Sequence, residues 1–235
     1  TNLGPWVPTL VGFIANSPTP GVPYPVYPFW RHILGAGGPR GGPPPYFRSA
    51  GNYDDAVEML RESGSIIDTA MIYWDVRLSA HLPTIEIRVS DVPATVAETV
   101  LLATLVRALV VTAVAAVDSG RLADPIDQGQ LRSACWRAAR DGLAGSGFDM
   151  ATRRLVPVVR LLNRLLSYTR SCLEESGDYA HTRDAMAAVL AGGNGAMRQR
   201  RALRAGGLMG VIDSATHSTI EGCRITESGQ PALER

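Results

Sequence analysis

The sequence contains no lysine: its 23 Lys and Arg residues are all arginine. A lysine Schiff base and a P-loop lysine are therefore excluded from this chain, and binding of phosphate or carboxylate must rest on guanidinium forks, backbone N–H groups or a metal. Charge of one sign is lacking too. A net charge of +1 at pH 7 gives no field that would draw the molecule onto nucleic acid or an anionic membrane, so neither is expected as a partner. Cysteine is sparse: Cys135, Cys172 and Cys223 are odd in number and form no C-x-x-C pair, which predicts reduced thiols in a cytoplasmic protein. The four histidines are scattered, so no histidine-rich metal site is readable. No basic leader opens the chain at "TNLGPWVPTL", and the missing initial Met points to processing or to a piece of something longer. The most apolar stretch, Leu101 to Val117, is shorter than the ~20 residues of a membrane span and holds Arg107 near its middle; it reads as a core helix.

What is present fits a globular α+β chain, 46% hydrophobic and 19% charged, long enough for one substantial core or two small ones. We divide it into four regions of a single domain. Residues 1–50 hold a helix-like run, "PWVPTLVGFIAN", and then a proline- and glycine-dense segment to Phe47 that reads as a functional substrate loop. Residues 51–92 hold a helix over Asn52 to Gly64, with Gly64 as its stop, and two strands joined by "SAHLP". Residues 93–222 read as five helices, among them an unbroken one over "RRLVPVVRLLNRLLSYTRSCLEESG". Residues 223–235 form a frayed or appended tail.

The strand pair carries the sharpest signal. In "YWDVRLSAHLPTIEIRV", Asp75 and Arg77 are two apart, Glu86 and Arg88 are two apart, and the residues between them are apolar. Period-two alternation puts each acid and arginine on one face of an antiparallel pair. Such a face suits a cleft where a carboxylate holds a divalent metal and arginines hold phosphate oxygens; a solvated face with cross-strand ion pairs shows the same pattern, and pattern alone does not separate the two.

Five ordered blocks extend the reading across the chain: "ANSP" at Ala15 to Pro18, "GPPPYF" at Gly42 to Phe47, "YWDVRLSAHLPTIEIRVSDV", "WRAARDGL" at Trp136 to Leu143 and "GGNGAMRQR" at Gly192 to Arg200. Together they resemble the glutamate–cysteine ligase type 2 family, the bacterial carboxylate-amine ligases. The resemblance implies part of a glutamine synthetase-like funnel of mostly antiparallel sheet with helices outside. It also implies ATP and Mg²⁺ as cofactors, phosphorylation of a carboxylate and displacement of the phosphate by an amine. Glu86 matches the family's metal-binding glutamate, and Arg88 the neighbouring arginine expected to meet phosphate. Asp75 and Arg77 match the W-D-x-R block, where one is expected to orient the other. Asn16 and Ser17 sit in a polar turn suited to an amino-acid substrate, and Arg31, in "FWRHIL", is placed to clamp a substrate carboxylate. The family's G-x-E-E-E and H-V-H-V-G blocks are not found in this sequence, which predicts that a second chain, or a severed piece of the same one, supplies them. Three readings follow: a half-enzyme completed by that partner, a degenerate homologue serving as a binding or scaffold subunit, and an unrelated helical interaction domain with an incidental hairpin.

Overall fold

A computed structural model of the chain describes residues 2–17, 27–121, 124–221, 224–225 and 231–232. Most of the proposed tail, Cys223 and part of the proline-rich loop lie outside these residues. The fold is α+β, with short two-stranded sheets and a helical C-terminal region.

At the centre lies α1 (Val7–Phe13), every residue of which is buried. Pro8 is tolerated because it falls in the first turn, where its missing N–H costs no helical bond. Around α1 pack α5 (Gln128–Asp141), α6 (Val158–Tyr168) and the hairpin of β5 (Ser146–Asp149) and β6 (Arg154–Pro157). The amphipathic α6 turns Leu161, Leu162, Leu165 and Leu166 inward, and α4 (Val96–Asp118) adds Leu101, Leu105 and Leu109. Side chains of this size contribute roughly 1.5–3 kcal/mol each by burial.

Four of the described α-helices begin where a side chain accepts a free N–H group. Ser49 caps α3 (Ala50–Glu62), Asp127 caps α5 and Asn194 caps α9 (Gly195–Ile220). Thr95 caps α4, its hydroxyl accepting from the Glu98 N–H at 3.2 Å, and Glu98 turns back to accept from the N–H of Ala94, one residue before the cap, at 3.1 Å. The remaining helices are α2 (Trp30–Gly35), α7 (Arg170–Glu175) and α8 (Tyr179–Gly192). By length and composition α4 would suffice to cross a membrane; here it packs against α6, α7 and α8 while Val100, Val111, Val114 and Val117 stay exposed. Arg107 reaches sideways to Asp178 at the start of α8.

Several expectations are corrected. The loop from Pro18 to Phe47 is not wholly irregular, since it contains α2 and β1 (Gly41–Gly42). The single helix expected from Arg153 onward is a strand and two helices. Pro157 cannot donate within a helix, so Arg154–Pro157 pairs with β5 and α6 starts after it; Arg153 takes a left-handed backbone, φ 55°, at the hairpin turn. Likewise α9 breaks at Gly206 and Gly207.

Strands β3 (Val76–Leu78) and β4 (Ile85–Ile87) pair antiparallel as expected, with Arg77 opposite Glu86. The preceding strand, β2 (Tyr73–Trp74), pairs in parallel with β1 instead. Trp74 anchors it in a second, smaller core with Leu60, Ile66 and Ile72, its ring 5.4 Å from Phe47 and 5.6 Å from Tyr53.

Candidate functional site

Asp75 stands at the change of partner between β2 and β3, and three walls meet on it. Its N–H donates to the Gly42 carbonyl at 2.8 Å, and its own carbonyl accepts the Arg88 N–H at 2.7 Å. Its buried carboxylate accepts from Nε2 of His32, on α2, at 3.0 and 3.2 Å. Above this junction lies a cleft of about 270 Å³ lined by Phe29, Arg31, His32, Tyr73, Asp75 and Arg88, with Gly35, Ala36 and Gly42 as its small-residue walls. Three of the residues proposed from sequence, Arg31, Asp75 and Arg88, thus share one cleft.

The surroundings favour an anion. Arg88 lies 5.5 Å and Arg40 5.2 Å from the centre of the Tyr73 ring, so two guanidinium groups stack on one aromatic. Guanidinium is weakly hydrated and forks onto carboxylate or phosphate, and among the described residues the one carboxylate lining the cleft, Asp75, is already engaged by His32.

Asp75 and Arg77 do not orient one another. Arg77 instead reaches across to Glu86, Nε to Oε2 at 2.9 Å, and donates to the carbonyls of Ile72 at 2.7 Å and Ala70 at 3.0 Å. The alternation was readable; the switch of β2 to a different partner, which turns Asp75 toward α2, was not. Glu86 is held between Arg77 and Arg88, the latter at 3.3 Å. Hydrogen bonding from Arg77, supported by Arg88, keeps its carboxyl below the usual value despite partial burial. Among the described residues no group of three or more His, Cys, Asp or Glu side chains could hold a metal ion. Among the described residues, Glu86 is paired with Arg77 and Arg88.

Asn16 and Ser17 are also placed differently from the substrate contact expected of them, for neither lines the cleft. Both bind Asp91, which accepts from the Asn16 N–H at 2.8 Å and the Ser17 hydroxyl at 2.7 Å. The same carboxylate lies 3.3 Å from Nε of Arg31 and so ties the turn to the cleft rim. From the far side, Gln199 on α9 donates to the Asn16 carbonyl and to its Oδ1, both at 2.7 Å. Gly195 is required here: a Cβ would stand 1.8 Å from Asn16 Oδ1.

Sequence reading passed over His32 and Asp91. His32 is adjacent to Arg31 and is one of four scattered histidines; Asp91 is the second-last residue of the most informative block, after β4. Both are short polar residues beside apolar ones, and only burial distinguishes them from solvated turn residues.

The comparisons with known proteins follow this geometry. A protein named "Putative glutamate--cysteine ligase 2-1" from Nocardia farcinica is 46% identical over 222 residues, covering 94% of this chain and 58% of the relative. One named "Putative glutamate--cysteine ligase 2-3" from Mycolicibacterium smegmatis is 46% identical over 220 residues, covering 93% and 60%. A similarly named protein from Salinispora arenicola is 45% identical over 202 residues, 86% of this chain and 53% of its own length. The chain therefore spans little more than half the length of these relatives. The family profile matches residues 2–220, the cleft and every residue around it included, and the chain belongs to the glutamate–cysteine ligase family 2.

Proposed function

We propose that this chain forms part of an ATP-dependent carboxylate-amine ligase, similar to glutamate–cysteine ligase, that makes an amide through an acyl-phosphate. The observation that carries this reading is the cleft, where Arg31 and Arg88 and the Tyr73 ring surround a space free of uncommitted carboxylates. Transfer of a phosphoryl group to a carboxylate brings two anions together, and fixed guanidinium groups lower the cost of that approach. In this proposal Arg31 takes the substrate carboxylate and Arg88 the transferred phosphate. Arg77 holds Glu86 and the strand ends in register.

ATP and Mg²⁺ are the cofactors we propose, with the metal's further carboxylates supplied by the family length that this chain does not span, whether on a second polypeptide or on a severed piece of the same one. The engagement of Glu86 by two arginines supports a second reading, a degenerate homologue acting as a binding or scaffold subunit. A reducing, cytoplasmic setting accords with the free thiols of Cys135 and Cys172.

The test uses the chain alone and with its co-purifying polypeptide, assayed for ADP release coupled to amide formation from glutamate and cysteine. The isolated chain should be nearly inactive and the complex active. In the complex, Arg88→Lys should lower turnover at least ~100-fold with little change in melting temperature, because an ammonium cannot reproduce a two-pronged phosphate contact, and Glu86→Gln, which removes the carboxylate we propose as a metal ligand, should lower turnover to a similar extent. Ligation by the isolated chain would refute the need for a partner. Full turnover in both variants would favour the scaffold reading.

A further inference from the structure

We infer that His32, held by Asp75, takes the proton from the attacking amine; the inference rests on the ligase reading above. Asp75 accepts from Nε2, so Nε2 is the protonated ring nitrogen and Nδ1 carries the lone pair. Nδ1 is buried and has no hydrogen-bond partner among the described residues. Buried polar atoms are nearly always paired, and this one sits on a residue in the wall between two spaces. On one side is the 270 Å³ cleft with Arg31 and Arg88; on the other is a cavity of about 990 Å³ that His32 and Ala36 also line. The cleft suits the anionic, activated acid, and the larger cavity leaves room for a second reactant.

Elimination points the same way. Of the other titratable groups lining the cleft, Arg31 and Arg88 cannot accept a proton, Tyr73 is stacked by two guanidinium groups, and Asp75 is engaged by His32. In the larger cavity Asp127 caps α5, and Cys135 is buried with its thiol pushed well up by loss of solvent. Covering of Nδ1 keeps bulk water from it, and the inference requires the six-residue α2 to shift before an amine can reach it.

The ammonium gives one proton to Nδ1, and the freed lone pair forms the C–N bond to the acyl-phosphate carbonyl carbon. The carbon–oxygen bond to phosphate breaks, and phosphate leaves with that electron pair. The second proton lost by nitrogen as it becomes an amide passes to phosphate or solvent, and the imidazolium returns its proton to solvent.

Hydroxylamine separates this role from the rest of catalysis, because it is uncharged at neutral pH and traps acyl-phosphates as hydroxamates without a base. In the complex, with ATP and glutamate, amide formation with cysteine is compared with hydroxamate formation for the wild type, His32→Gln and Asp75→Asn. His32→Gln should lower amide formation by ~100-fold or more and hydroxamate formation by less than about threefold. Asp75→Asn should fall in the same sense, since the amide no longer fixes the ring tautomer. Equal losses in both assays would show that His32 only supports the fold, and unchanged amide formation would show that it accepts no proton; either overturns the inference. If the wild-type complex yields no hydroxamate, the ligase reading itself fails and the inference fails with it.

Discussion

Replacing Asp91 with alanine removes the group on which the Asn16–Ser17 turn and α2 converge, and the structure sets the size of the effect. Two of its partners, the Asn16 N–H at 2.8 Å and the Ser17 hydroxyl at 2.7 Å, are partly buried donors to a charged acceptor. Such bonds are worth about 1.5–3 kcal/mol each. The third, Arg31, has a side chain 73% exposed, so its ion pair adds less than about 1 kcal/mol. The Ser17 hydroxyl can rotate to a new acceptor while the Asn16 N–H cannot, so the contributions do not simply add, and we expect a loss of about 3 kcal/mol. For a chain of this size that lowers the melting temperature by roughly 6–12 °C. Arg31→Ala, by contrast, should change stability by no more than ~0.5 kcal/mol. Urea titration of the two variants beside the wild type, read by circular dichroism, measures both. A loss below ~1 kcal/mol for Asp91→Ala, or an equal loss for Arg31→Ala, would refute the assignment of Asp91 as the tie between turn and cleft.

Arg77→Ala should destabilise the chain by roughly 2–4 kcal/mol, because the lost guanidinium leaves Glu86 and the carbonyls of Ala70 and Ile72 short of donors; Arg88→Ala, more exposed, should cost under ~1 kcal/mol, and a reversed order in chemical denaturation would contradict this. Asp149 gives a pH prediction. Burial pushes its carboxyl up, but donors from the Thr152 hydroxyl, the Ala151 N–H and Arg164 outweigh that and hold it below the usual value. A depressed folded pKa means that the contribution is present above the unfolded value of about 3.9 and is lost as pH falls through the folded one, so Asp149→Asn should flatten the acid limb of stability against pH. Parallel wild-type and variant curves below pH 4 would refute it.

Local chemistry was legible where one residue type has one physical consequence. The alternation of β3 and β4 was readable because it depends on neighbours within a strand. Gly64, read as a stop, adopts φ 70° just beyond α3. The strand at Arg154–Pro157 was less visible: the surrounding leucines repeat with helical spacing, and only Pro157 argued against it. The site was half legible. Arg31, Asp75 and Arg88 were proposed and do share the cleft, yet the partners of Asp75 and Arg77 depend on where α2 and β1 dock, which no spacing within the hairpin encodes.

The turn at Ala15 to Ser17 bears on the timing of folding. Its contacts join opposite ends of the chain: Asn194 donates to the carbonyls of Gly12 and Phe13, the Ala196 N–H to the carbonyl of Ala15, and Gln199 to Asn16. A ribosome delivers the first of these partners long before the last, so the turn must wait, with its polar groups in water, until α9 emerges. Loop-closure entropy places such a contact late in refolding as well. The cleft rim is therefore among the last parts of the molecule to take shape, and a nascent chain halted before Asn194 would carry the arginines of the site without the frame that aims them.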